Sequence, residues 1–129
     1  MITLELPTAP PSLNQWQRMH WAKRKLIAGG MRDEIGLCLV VEHRELARVE
    51  IGSNGLGVVV LKSRAKGHRR VKITRRGSRT LDHDNLVGGC KPLVDALVKV
   101  GLIENDTPAL VTVEYAQERG AGCRVDVWA

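Results

Sequence analysis

The segment from Leu86 to Gly101 constrains the fold of this chain most strongly, because one apolar face recurs there at helical spacing. Apolar residues return every three or four positions, at Leu86, Cys90, Leu93, Leu97 and Val100. Such a stripe predicts an amphipathic helix that buries one face against another layer of structure. Pro92 cannot lie deep inside a regular helix without losing a hydrogen bond, so the sequence predicts a start near Cys90 and an end at Gly101.

Short β-branched or alternating runs predict strands on both sides of this helix. The predicted strands are Ile2 to Leu6, Val58 to Leu61, Val71 to Thr74, Leu110 to Tyr115 and Arg124 to Trp128. A turn around Gly120 to Gly122 predicts that the last two strands form a terminal hairpin.

The segment after the first predicted strand has helical composition. Ser12 or Asn14 can cap a helix start, and helix-favouring residues continue from Gln15 to about Val49. The Gly29-Gly30 pair predicts a break or bend within it. The order strand, helices, strands, helix, two strands predicts an α+β fold, a single domain over residues 1 to 129 with one mixed β-sheet and flanking helices.

The charge of the chain is concentrated in one basic segment. The net charge is +6 and the sequence pI is about 9.7, a balance that favours anionic partners, with nucleic acid first and an acidic membrane surface or acidic protein as alternatives. The basic segment has no acid and contains Lys62, Arg64, Lys66, Arg69, Arg70, Lys72, Arg75, Arg76 and Arg79. These nine side chains are predicted to bind DNA phosphates.

Other features narrow the class of protein. The three cysteines, Cys38, Cys90 and Cys123, are far apart and form no C-x-x-C pair, which argues against a zinc site or a disulfide framework. The first residues lack the pattern of a signal peptide, and no apolar run is long enough to span a bilayer. The sequence therefore predicts a cytoplasmic protein with no membrane partner.

Asp82 and Asp84 flank His83 directly after the basic segment. In extended backbone, residues two apart project to the same side, so the two carboxylates can converge on one ion. Mg²⁺ prefers such oxygen ligands and commonly keeps water and substrate phosphate as its other ligands. This combination is suited to phosphodiester cleavage. The alternative is that the acidic pair only caps a helix or a turn.

A longer series of residues extends this pair. The series is Asp82, Asp84, Asn85, Lys91, Asp95, Ala96, Leu97, Gly101 and Asp106, preceded near the start of the chain by the segment PPSLNQW. In this order the residues resemble the RusA family of Holliday-junction resolvases, structure-selective endonucleases often carried by phages and prophages. The matching core covers about Thr74 to Asp106.

The resemblance implies a set of roles. Asp82, Asp84 and Asp106 would hold Mg²⁺, or Mn²⁺, and Lys91 would assist at the scissile phosphate, with Asn85 and Asp95 in support. It also implies a homodimer that cuts a four-way junction at two symmetric positions, because two-fold symmetry places one active site on each side. This chain departs from the family pattern at two positions of the series.

In some family members the lysine follows the second aspartate by four residues, whereas Lys91 follows Asp84 by seven. Family members also commonly carry two adjacent acids at the third position, where this chain has Asn105 before Asp106 and Glu104 one residue earlier.

Several alternatives stay open at this level. Lys91 and Asp95 are spaced to form a surface ion pair along a helix. Trp16 and Trp21 lie among basic residues and can either stack on DNA or pack in a core or dimer contact. The whole chain could instead be a non-catalytic nucleic-acid-binding domain, or a small regulatory domain that binds an acidic protein.

Overall fold

A computed structural model describes all 129 residues of the chain. Its elements in chain order are β1 (Ile2–Leu6), α1 (Leu13–Arg18), α2 (Trp21–Glu42), a short 3₁₀ turn (Arg44–Leu46), β2 (Ala47–Ile51), β3 (Gly57–Leu61), β4 (Arg69–Gly77), α3 (His83–Val100), β5 (Val111–Arg119) and β6 (Cys123–Trp128). None of the three α-helices has a stretch long and apolar enough to cross a lipid bilayer.

The main sheet is mixed and has four strands in the order β1-β6-β4-β5. β6 is antiparallel to both β1 and β4, whereas β5 is parallel to β4. The predicted α+β class with one mixed sheet is therefore confirmed, and β2 and β3 add a small antiparallel sheet of their own. The predicted terminal hairpin is wrong, because β4 lies between β5 and β6. β6 lies between β1 and β4 inside the sheet, and its residues Val125 and Val127 are 0% and 2% exposed.

A single core of 23 buried residues joins the inner face of the sheet to α2 and α3. Ile73 of β4 and Val125 of β6 lie opposite each other in the sheet and are both fully buried. Leu39 of α2 and Leu97 of α3 are also fully buried in this core. The two helices thus form one layer and the sheet the other.

The N-terminal helices differ from their predicted form. Ser12 caps α1, where its hydroxyl accepts a hydrogen bond from the Gln15 backbone and the Gln15 side chain accepts one from the Ser12 backbone. The helical segment divides at Met19 and His20 rather than at Gly29-Gly30, so the predicted break is wrong. Buried residues of α2 on the far side of the glycine pair hold the helix against the core, which offsets the lower helical propensity of glycine.

The strands around the basic segment begin and end at other residues than predicted. Ala47–Ile51 is a strand rather than the end of a helix, because it pairs along its length with β3. Arg69 and Arg70 belong to β4, which extends the predicted strand at both ends and shortens the predicted basic loop.

α3 starts at His83, well before the predicted start near Cys90. Asp82 caps it, and Pro92 lies inside it, where it lacks the N–H that would bond to the Gly88 carbonyl. Gly101 ends the helix as predicted, in the left-handed conformation.

Gly89 explains why glycine lies early in α3. A Cβ atom at Gly89 would stand 2.0 Å from the Pro11 carbonyl oxygen. The segment before α1 therefore runs directly over the first turns of α3.

Candidate active site

The end of β5 fixes the residue that precedes the acidic pair. The Leu81 backbone N–H donates to Gln117 Oε1 at 2.8 Å, and Gln117 Nε2 donates to the Leu81 carbonyl at 2.9 Å. The chain then turns directly into α3. This bidentate contact from the sheet fixes Leu81, the residue directly before Asp82.

Asp82 uses both carboxylate oxygens at this helix start. Oδ1 accepts a hydrogen bond from the Asn85 backbone N–H at 3.0 Å, and Oδ2 accepts one from Asn85 Nδ2 at 3.0 Å. These bonds, the backbone one foremost, hold the pKa of Asp82 below its ordinary value. The capping alternative for Asp82 is therefore confirmed, and its carboxylate is ionised at neutral pH.

Asp84 lies in the first turn of α3, exposed, and its side chain makes no hydrogen bond or ion pair. The expectation that Asp82 and Asp84 project together from extended backbone is wrong, because the helix begins at His83. Asp84 is the free carboxylate of the pair. It is available to an external cation.

Asn85 links the start of α3 to the N-terminal segment. Its Oδ1 accepts a hydrogen bond from the Asn14 backbone N–H at 3.0 Å while its amide donates to Asp82. One side chain thus joins two parts of the sequence that are 71 residues apart. Asn85 therefore ties the start of α3 and the Asp82 carboxylate to the N-terminal segment.

Lys91 is the centre of a second charged cluster on α3. Its Nζ donates to Asp95 Oδ1 at 3.0 Å and also forms an ion pair with Asp106. The pairing with Asp106, and then with Asp95, raises the pKa of Lys91, while Lys91 lowers the pKa of Asp106. The i,i+4 pair foreseen as an alternative is present, and the fold adds Asp106 to it from a distant loop.

The two other residues considered beside Asp106 are engaged elsewhere. Glu104 Oε2 accepts a hydrogen bond from the Gly67 backbone N–H at 2.7 Å, which ties the basic loop to the loop after α3. Asn105 Oδ1 accepts one from the Asp106 backbone N–H at 2.7 Å. Asp106 is therefore the carboxylate of this loop that faces α3.

The donor chemistry suits a hard divalent cation, since Asp82 and Asp106 are ionised and Asp84 is unpaired. The carboxylates lie in two groups: no set of three or more His, Cys, Asp or Glu side chains is close enough to hold one metal ion. Lys91 lies seven positions after Asp84 in α3, which is about 10 Å along the axis and nearly two full turns. Both groups therefore lie on the same face of α3.

The basic segment has two kinds of side chain. Five of its arginines make contacts within the fold: Arg64 with the Val98 carbonyl, Arg69 with the Leu102 carbonyl, Arg70 over the Trp128 ring, Arg75 with the Pro10 carbonyl, and Arg76 with Glu5 and Glu118. The side chains with none of these contacts are Lys62, Lys66, Lys72 and Arg79. DNA binding by the nine residues stays a prediction, and these four are the ones free to contact phosphate.

The outer face of the main sheet is electrically balanced. Four basic and four acidic side chains share this face through the strand register, namely Arg70, Lys72, Arg76 and Arg124 with Glu5, Glu114, Glu118 and Asp126. Several of them pair with one another, as Arg124 does with Asp126 at 3.1 Å. This face offers no excess of positive charge.

Sequence reasoning missed a groove of about 570 Å³ between α2 and α3. Its basic side chains are Arg24, Lys25, Arg32, Lys91 and Lys99, and Asp95 is its one acid. One signal in the sequence could have indicated this groove: Arg24 and Arg32 are two helical turns apart, with small residues between them.

The tryptophan and cysteine side chains near the candidate site are mostly buried and structural. Trp16 is 6% exposed and its Nε1 donates to the Gly89 carbonyl at 2.9 Å, so its core interpretation is confirmed. Trp21 is 69% exposed. The three cysteines are free and buried, and burial raises the pKa of Cys90 and of Cys123 to about 12. Neither thiol is a nucleophile at neutral pH.

Comparison with protein-family models, with curated proteins and with solved structures gives no match to this chain. Its function is therefore inferred from its own residues and contacts.

Proposed function

We propose that this protein is a divalent-metal-dependent endodeoxyribonuclease that cuts branched DNA, with Holliday junctions as the substrate. The contact of Lys91 with Asp106 carries the proposal, because it joins two members of the motif series that are 15 residues apart. Asp84 lies on the same face of α3 and is unpaired. Acidic and basic groups of the series thus share one exposed surface.

Asp82, Asp84 and Asp106 are the residues that would hold Mg²⁺ or Mn²⁺. When bound, such an ion supplies an activated water and neutralises charge on the phosphate. Asp84 has no contact to give up when it binds a cation, whereas Asp106 must exchange its contact with Lys91 and move toward Asp84, because the two groups of carboxylates lie apart in this structure. Release of Lys91 from Asp106 would free its ammonium group for a phosphate oxygen.

Lys91 is proposed to stabilise charge that develops on the phosphate during cleavage. It is 57% exposed at the side chain, and Asp95 anchors it from the next turn of α3. Asn85 positions Asp82 through its side-chain hydrogen bond. The roles of Asp95 and Asn85 are therefore to orient other groups rather than to react.

Two symmetric cuts across a junction require two active sites. We therefore include a two-fold homodimer in the proposal, with one site in each subunit. A cytoplasmic location fits an enzyme of DNA recombination and repair and is proposed with it.

A non-catalytic DNA-binding domain is the second candidate. The observation that favours it is the engagement of both Asp82 oxygens with Asn85, which accounts for this aspartate as a helix cap alone. The two candidates differ in the role of Asp84, which would bind a cation in the nuclease and has no role in the binding domain. The side chain of Asp84 makes no contact within the fold that would account for it otherwise.

A mobile synthetic four-way junction incubated with Mg²⁺ tests the proposal. We expect paired nicks at symmetric positions, with no cleavage in EDTA and with junction binding retained. Asp84→Asn and Asp106→Asn should each abolish cleavage without weakening binding, since both remove negative charge that faces phosphate. Asp33→Asn is the matched control, because Asp33 is an exposed aspartate on α2 that makes no hydrogen bond or ion pair.

Wild-type cleavage that persists in EDTA would refute the metal-dependent mechanism. Binding without any cleavage in Mg²⁺ or Mn²⁺ would favour the non-catalytic candidate. Near wild-type cleavage by Asp84→Asn would remove Asp84 from the site.

A further inference from the structure

We propose that the groove between α2 and α3 binds the sugar-phosphate backbone of a DNA strand and leads it to Lys91. This inference rests on the proposed function for the identity of the polyanion. It assigns the main phosphate-binding surface to a part of the chain outside the basic segment.

The first support is the charge of the groove. Five basic side chains and one acid line it; Lys25, Arg32 and Lys99 have neither an ion pair nor a hydrogen bond, and Arg24 has no ion pair but donates to the Met19 and Gln17 carbonyls at 3.0 Å and 3.2 Å. Lys91 alone is paired. The outer face of the sheet, with equal numbers of acids and bases, cannot attract a polyanion to the same degree.

Arg32 gives the second support. Its Nε is buried and has no hydrogen-bond partner, the one such side-chain atom in the chain. A buried guanidinium N–H without an acceptor is costly, and phosphate oxygens are among the acceptors that arginine binds best. Arg32 also lines the groove, so a shift of its side chain that turns this N–H outward would give it a backbone phosphate as acceptor.

The shape of the groove gives the third support. Between the basic side chains its floor is formed by small residues, among them Ala28 and Gly29 of α2 and Ala96 of α3. These residues leave an open channel between the two helices. Trp16 and Pro92 are the larger apolar residues of the lining, so a DNA strand would pass over the small residues beside them.

Lys91 connects this groove to the candidate active site. It lines the groove and also contacts Asp106. Lys99 lies two turns further along α3, and Asp84 lies two turns before Lys91. A strand that follows α3 from Lys99 would therefore reach Lys91 first and then the unpaired Asp84.

The test uses two substitutions that differ only in which side of α2 they occupy. Gly29 lines the groove and Gly30 does not, and a Cβ atom at either position meets no atom within 4 Å. Gly29→Glu and Gly30→Glu therefore add the same charge and the same gain in helical propensity. Only Gly29→Glu places a carboxylate in the groove.

Binding of a fluorescein-labelled four-way junction is measured by anisotropy in EDTA at several salt concentrations. Gly29→Glu should weaken binding about tenfold near 0.1 M salt and reduce the slope of log affinity against log salt by about one. Gly30→Glu should stay within about twofold of wild type, since its carboxylate lies outside the groove. Equal affinities for the two variants would overturn the inference.

A charge-removing pair gives an independent measurement. Arg32→Gln should also reduce the salt slope by about one, whereas Arg44→Gln, an exposed arginine without an ion pair on the 3₁₀ turn, should not. Melting temperatures establish that all four variants are folded. Equal slopes for Arg32→Gln and Arg44→Gln would contradict phosphate binding by Arg32.

The binding assay separates this inference from the nuclease proposal. Loss of junction binding in Gly29→Glu supports the groove even when the wild-type protein cuts no DNA. Wild-type cleavage together with unaltered binding by Gly29→Glu leaves the nuclease proposal standing and overturns the groove.

Discussion

Gly89→Ala is the substitution whose effect the structure predicts most directly. The new methyl group would stand 2.0 Å from the Pro11 carbonyl oxygen and 3.0 Å from the Ser12 Cα. Both neighbours are backbone atoms, so no side-chain rotation can relieve the contact. The segment from Pro11 to α1 must move away from α3.

The expected cost follows from what this movement disturbs. Trp16, only 6% exposed, donates its Nε1 hydrogen to the Gly89 carbonyl, and Asn14 donates its backbone hydrogen to Asn85. Overpacking in a tight core costs up to about 3 kcal/mol. Alanine returns about 1 kcal/mol of helical propensity relative to glycine, which leaves a net loss of about 2 kcal/mol in the free energy of unfolding.

Gly30→Ala is the matched control. A Cβ atom at Gly30 meets nothing within 4 Å, so the same propensity gain of about 1 kcal/mol has no steric cost to oppose it. The two identical substitutions are therefore expected to change stability in opposite directions.

Urea unfolding followed by tryptophan fluorescence measures both variants, and thermal unfolding gives a second value. A change of 1 kcal/mol shifts the melting temperature of a domain of this size by about 4 °C. Gly89→Ala should melt about 8 °C below wild type and Gly30→Ala about 4 °C above it. A Gly89→Ala protein at least as stable as wild type would refute the close packing of the N-terminal segment on α3.

Three further predictions concern the charged groups of the site. Lys91→Ala should lower the single-turnover cleavage rate by about two to three orders of magnitude with little change in DNA affinity. Lys91→Arg should restore only part of that rate, since the planar arginine fork does not replace a compact ammonium. A loss of affinity at an unchanged rate would instead place Lys91 among the binding residues. Asp82→Asn should abolish cleavage yet keep the melting temperature close to wild type, because asparagine caps helices as well as aspartate does; Asp82→Ala should lower both, and equal melting of the Ala and wild-type proteins would show that the cap is unimportant. The pKa values of Asp82 and Asp106 are lower in the folded protein than their ordinary value of 3.8, so the unfolded chain binds more protons in acid. The stability that these two carboxylates contribute is present above pH 3.8 and is lost as the pH falls through their folded pKa values. The urea midpoint of the Asp82→Asn, Asp106→Asn double variant should therefore fall less steeply with acidification than the midpoint of wild type.

The sequence predicted the elements of the fold better than their arrangement. The alternation in Ile2–Leu6 and the apolar stripe of α3 are local signals, and both elements are present. The early start of α3 was missed because Pro92 and the two glycines before Cys90 argued against a helix. The need for glycine at position 89 arises from Pro11, 78 residues away in the sequence, which no local pattern shows.

The same limit applies to the candidate site. Helix capping by Asp82 was open from the sequence, since aspartate before an apolar periodic run is a common cap. The contact between Lys91 and Asp106 followed from no spacing rule, because a loop and a helix must pack before the two meet. The groove was missed for a related reason: Arg32 and Lys99 become neighbours of one channel only when α2 and α3 lie side by side.

The place of β6 in the main sheet has a consequence for the order of synthesis. Its partner β1 is the first strand to be made, and Thr3 bonds to Asp126 across 123 residues. A nascent chain that ends before residue 123 leaves β1 unpaired and β4 with β5 as its one neighbour. Closure over such a span slows folding. A stop codon just after position 122 would therefore keep every proposed site residue in the polypeptide and still remove the strand that joins β1 to the rest of the sheet.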